Sequence, residues 1–101
     1  MDQKIQNLIN ENKVMMFSKD YCPFCKQAKS LLDGKGVQYE VVEMDLIPDG
    51  GEMHNALKAF SGQNTVPCTY VNKKKLGGCD DLKAAAANGE LDKMLAAWFR
   101  F

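Results

Sequence analysis

Apolar positions along this chain change period several times, and each change marks an element. Ile5, Leu8 and Ile9 share one face of Gln3 to Glu11, which predicts a short amphipathic helix. Lys13 to Ser18 then runs apolar through Val14, Met15, Met16 and Phe17. A continuous run of that length suits a strand buried on both faces. After a Lys19-Asp20-Tyr21 loop, Pro23 takes an early helical position, where its missing N–H costs nothing. The helix it opens runs to about Leu32 with Ala28, Leu31 and Leu32 inward, and Gly34 and Gly36 end it.

Val37 to Met44 reads as a second strand through Tyr39, Val41 and Val42. Pro48-Asp49-Gly50-Gly51 reads as a turn. Met53, Ala56, Leu57 and Phe60 recur at helical spacing until Ser61-Gly62. Val66 to Val71 predicts a third strand, Asn72-Lys73-Lys74 a polar hairpin turn, and Lys75-Leu76 a short edge strand guarded by lysine. Asp80-Asp81 opens a further helix, and Asn88-Gly89 divides it from a last one carrying Leu91, Met94, Leu95, Trp98 and Phe99. The order αβαβα–ββα(α) begins with a βαβ unit, so a parallel pair joined by a right-handed crossover is expected, with an antiparallel hairpin added later. The expected fold class is α/β: one domain over residues 1–101, a four-stranded mixed sheet with helices on both faces.

Composition narrows the function classes. A chain of 101 residues, 46% hydrophobic, can bury a core as a single domain. Its 13 basic and 13 acidic side chains cancel, leaving no global field to draw in nucleic acid or a membrane. No run reaches membrane-spanning length and the first residues carry no cleavable signal pattern, so a cytoplasmic, reducing location is expected. Cysteines there are more often catalytic or metal-binding than structural disulfides. Zinc fits poorly: Cys22 and Cys25 form one tight pair, but Cys68 and Cys79 do not form a second, and His54 is the one histidine.

Cys22-Pro23-Phe24-Cys25 instead stands where a helix begins. Unpaired N–H groups and a partial positive charge at a helix N-terminus stabilise a thiolate, the nucleophilic form. The second thiol lies about one turn on, within reach of any mixed disulfide formed at the first. This predicts reversible thiol–disulfide exchange, with Cys22 as nucleophile, Cys25 as resolving thiol and Lys19 adding positive charge nearby.

Three motifs, Lys19-Asp20-Tyr21-Cys22-Pro23-Phe24-Cys25, Thr65-Val66-Pro67 and Gly77-Gly78-Cys79-Asp80-Asp81-Leu82, occur in the order and at the spacing of glutaredoxins. The chain resembles that family over essentially its whole length. The resemblance implies a thioredoxin-like fold of glutaredoxin type. It also implies a dithiol enzyme that reduces glutathione mixed disulfides and protein disulfides, with glutathione as cosubstrate and no tightly bound cofactor or metal. Glutathionylated or disulfide-bonded proteins would be its partners, and a monomer its working form. By the same resemblance Lys19 meets a carboxylate of glutathione, and Tyr21 borders the ligand. A cis Val66-Pro67 bond frees Val66 to pair with the peptide. Thr65, Gly78, Cys79, Asp80 and Asp81 complete the site, with backbone N–H groups for the γ-glutamyl carboxylate and an acid for its ammonium.

Three residues depart from the family pattern. His54 stands where a glutamine often reaches the glycyl carboxylate; on its own it also fits a polar helix surface. Cys68 follows the proline where a larger polar residue is common, and reads either as a packed small residue or as a third redox thiol. Asn64 replaces a frequent cation, with Gln63 as the neighbour that compensates. Some glutaredoxins also carry an iron–sulfur cluster on the active-site cysteine and bound glutathione; Pro23 stiffens the loop and counts against that use.

Overall fold

The computed structural model of the chain describes residues 1–96. The expectations for Trp98 and Phe99 lie outside the described residues. Strand β1 (Val14–Ser18) is central, and all five of its residues are buried. It pairs in parallel with β2 (Glu40–Glu43) and antiparallel with β3 (Cys68–Val71), which pairs antiparallel with β4 (Lys74–Gly77), giving the order β2-β1-β3-β4.

The two-residue period of β1 divides the core. Met15 and Phe17 point to a layer closed by α1 (Asp2–Glu11) and α3 (Gly50–Ser61), with Ile5, Ile9, Met53, Leu57 and Tyr70. Val14 and Met16 point to the opposite layer, closed by α2 (Pro23–Gly34), α4 (Cys79–Asn88) and α5 (Glu90–Ala96), with Ala28, Leu32, Leu82 and Leu91. Helices thus cover both faces, as a continuous apolar strand requires. Among the described residues no helix is long and apolar enough to cross a membrane.

Several boundaries move for physical reasons. β2 is confined to Glu40–Glu43, because Val37 still closes the turn after α2, its N–H reaching Leu32 O at 3.0 Å. Met44–Leu46 forms a 3₁₀ turn instead of extending the strand. Helix α3 starts at Gly50, inside the predicted turn. A Cβ there would sit 1.5 Å from Met44 O, so glycine is what lets α3 approach the 3₁₀ turn. β3 begins at Cys68 rather than Val66, since Val66-Pro67 is a cis bond outside the ladder. The hairpin turns on Asn72 and Lys73, both at positive φ, as a two-residue turn of primed type requires.

Candidate active site

Cys22 is the N-cap residue of α2, so its position follows from the Pro23 that opens the helix. Its Sγ accepts the Cys25 backbone N–H at 3.3 Å. An N–H donated at a helix N-terminus favours negative charge on the acceptor. The loop before it is pinned twice: Cys22 N–H bonds Lys19 O at 3.0 Å, and Asp20 N–H bonds Asp45 Oδ1 at 2.8 Å. Both thiols are free and buried, Cys22 at 8% exposure and Cys25 at 0%. Burial, and then the hydrogen bond to Cys22, push the Cys25 thiol up to about 11; the Lys19 backbone and the Ser18 hydroxyl oppose this only in part. The two sulfurs are therefore unequal. One caps the helix with a backbone donor aimed at its sulfur, and the other, fully buried, holds its proton.

The second wall is the turn at Thr65–Pro67. Cys22 Sγ lies 3.8 Å from Val66 O, so the nucleophile meets the turn directly. The third wall is the start of α4. Asp81 Oδ2 accepts the Gly78 N–H at 3.1 Å and caps the helix, so the capping acid is Asp81 and not Asp80, although both are exposed. Gly77 makes this possible. It adopts φ 115°, and a Cβ there would lie 2.3 Å from Asp81 Oδ2.

Between these walls runs a groove of about 470 Å³. Of the residues expected from the sequence it gathers Gln63, Thr65, Val66, Pro67, Gly78, Cys79, Asp80 and Asp81. It adds Phe24, Gly62 and Lys75, which the sequence reading did not place there. Phe24 is 59% exposed beside the cysteines. Lys75 is opposite Tyr70 in the β3–β4 register, and its Nζ donates to Ser61 O at 3.1 Å. Nothing in the run Lys73-Lys74-Lys75 marks which lysine turns to the groove; only the hairpin register decides it. A larger groove of about 660 Å³, lined by Lys13, Val37 and Tyr39 among others, contains no cysteine and offers no comparable chemistry.

Tyr21, Lys19 and His54 lie outside the groove lining. Tyr21 is 67% exposed. His54 and Lys19 are near one another: burial first, then the charges of Lys19 and Lys58, hold the His54 imidazolium below the usual histidine range, against a hydrogen bond to the Asn64 backbone. The His54 Nε2 is buried with no hydrogen-bond partner. Gln63 lines the groove, and its Nε2 donates to Thr65 O and to Pro67 O, each at 2.8 Å. Cys68 is fully buried, and burial pushes its thiol up.

The family model described as Glutaredoxin matches residues 14–76. A glutaredoxin of Ricinus communis is 44% identical over 92 residues, 91% of this chain and 90% of that protein. Glutaredoxin-1 of Rhizophagus irregularis is 45% identical over 94 residues, 93% of each chain. Among solved structures, the buckwheat glutaredoxin–glutathione complex superimposes with a TM-score of 0.91 at 39% identity, covering 94% of this chain and 86% of that one. The holo form of glutaredoxin C1 from Populus tremula x tremuloides gives 0.90 at 36% identity, covering 94% of each.

Proposed function

This chain belongs to the glutaredoxin family and is a glutathione-dependent thiol–disulfide oxidoreductase; from that premise we propose how its own residues divide the work. The observation that carries the assignment of roles is the inequality of the two thiols: Cys22 capping α2 with a backbone N–H on its sulfur, and Cys25 buried at about 11.

The Cys22 thiolate attacks the glutathione sulfur of a mixed disulfide. The S–S bond breaks, the partner leaves as a thiolate and takes a proton from solvent, and glutathione remains on Cys22. The thiolate of a second glutathione attacks that glutathione sulfur, releasing glutathione disulfide and regenerating the Cys22 thiolate. One free glutathione thiol is consumed per turnover, and the other half of the glutathione disulfide is the glutathione taken from the substrate. With a protein disulfide, Cys22 attacks one protein sulfur, the protein S–S bond breaks and the other sulfur leaves as a thiolate. Cys25 then loses its proton and attacks Cys22 Sγ. The mixed disulfide breaks and releases the second protein thiolate, and a Cys22–Cys25 disulfide closes. Two glutathione thiols reopen it with release of glutathione disulfide.

Glutathione lies in the groove beside Cys22. Val66 takes its central residue by backbone pairing, supported by the 3.8 Å approach of Val66 O to Cys22 Sγ. The start of α4 at Cys79 and Asp80 takes the γ-glutamyl carboxylate, and Asp80, exposed and not the cap, takes its ammonium. Lys19 and His54 take the glycyl carboxylate, with Tyr21 at the rim. The partners are glutathionylated or disulfide-bonded proteins, the working form is a monomer, and the compartment is the cytoplasm. The test is turnover of a glutathionylated peptide by the wild-type chain with glutathione as sole reductant. Catalysed release of the peptide thiol is expected, and release no faster than with glutathione alone would contradict the reading.

A further inference from the structure

Gln63 lies between α3 and β3, and its single amide nitrogen bridges two backbone carbonyls, Thr65 O and Pro67 O, both at 2.8 Å. A carboxamide nitrogen carries two hydrogens, so both are spent on the turn. The bridge straddles Val66, whose carbonyl oxygen is 3.8 Å from Cys22 Sγ. The residue is anchored from behind as well. Its backbone N–H donates to Ser61 Oγ at 3.1 Å, and that hydroxyl donates to Leu57 O at 2.7 Å in the last turn of α3. On its other side Nε2 would lie 3.8 Å from a Cβ built on Gly78, so it also reaches the N-cap of α4.

We propose that Gln63 is a positioning residue, a clamp that fixes the Thr65–Pro67 turn so that Val66 is held ready for an extended peptide beside Cys22. This rests on the glutathione reading above. Without the clamp, two carbonyls lose their donor and turn toward water. The turn must then be ordered each time glutathione binds, and that cost appears in binding. The chemistry at Cys22 sulfur does not pass through Gln63.

Gln63→Met keeps the length and removes both donors; Gln63→Glu sets a carboxylate against the two carbonyls. For each, kcat/KM on a glutathionylated peptide falls roughly tenfold, the size of one to two lost hydrogen bonds, mainly through KM. In Gln63→Met, which adds no charge, alkylation of Cys22 by iodoacetamide, which needs no peptide pairing, proceeds at the wild-type rate. An unchanged KM overturns the clamp, and so does a matching fall in alkylation, which would mean general damage to the site. An inactive wild type would instead overturn the glutathione reading itself. A measurement on the wild type covers variants that fail to fold. The Gln63 side-chain amide hydrogens exchange more slowly than those of exposed Gln6 and show scalar coupling to the Thr65 and Pro67 carbonyls. Exchange as fast as at Gln6 contradicts the proposal.

Discussion

At the scale of single residues, the site works by contrast between groups of the same type. Cys22 and Cys25 differ in what surrounds their sulfurs. Cys25 keeps its proton in the folded chain up to about 11, against 9.0 for an ordinary thiol. Its folded value is raised, so the associated stability is present below 9.0 and is lost as pH rises through 11. Cys25→Ser should therefore show a shallower alkaline loss of stability than wild type in denaturant titrations over that range; identical profiles would contradict the burial argument. His54 has the opposite sense. Burial and two lysine charges disfavour its protonation in the free protein, whereas a carboxylate placed against Lys19 would favour it. Affinity for glutathione should thus fall as pH rises through the complexed His54 value. His54→Gln should flatten that fall in exchange measurements on a Cys25→Ser background. A slope that survives the change would place His54 outside the site.

At the scale of elements, helix starts and the turn before β3 build the groove. Helix α2 presents Cys22, and α4 presents Cys79 and Asp80 behind a cap made by Asp81. Asp81→Ala removes that cap at a cost of about 1 kcal/mol. Gly77→Ala adds a Cβ at φ 115° against the same carboxylate, and should cost at least as much. Both should weaken glutathione binding, because the α4 N–H groups lose their fixed aim; thermal melts and KM values check the pair. The elements themselves were legible in the sequence because Pro23, Gly62 and Gly89 punctuate clear periodicity. Their edges were not. Val37 is apolar but serves the α2 turn, and Gly50 looks like a turn residue but opens a helix pressed against Met44. Apolar identity fixes which side a residue buries, not the hydrogen-bond partner that ends an element. The same limit applies inside the site. The cysteine pair, the Val66-Pro67 turn and the Gly77–Asp81 start could be read from order and spacing. Lys75 in the groove and the two hydrogen bonds donated by Gln63 to backbone carbonyls depend on register and loop path, which no local pattern carries.

At the scale of the whole molecule, one buried strand joins two apolar layers, and the site lies at the ends of elements drawn from both. Leu57 and Leu82 are buried on opposite faces of the sheet, at 1% and 0% exposure. Truncating either to Ala should cost about 2–5 kcal/mol. The two costs should nearly add in the double variant, with one unfolding transition throughout. Separate transitions for the two layers would contradict a single cooperative domain. The central claim, that Cys22 alone attacks while Cys25 resolves, is tested most directly by intact-mass spectrometry of Cys25→Ser after exposure to glutathione disulfide. The account predicts one glutathione, mapped to Cys22, removed again by added glutathione, and no adduct in Cys22→Ser carrying an intact Cys25. A glutathione on Cys25, Cys68 or Cys79, or none on Cys22, would contradict it.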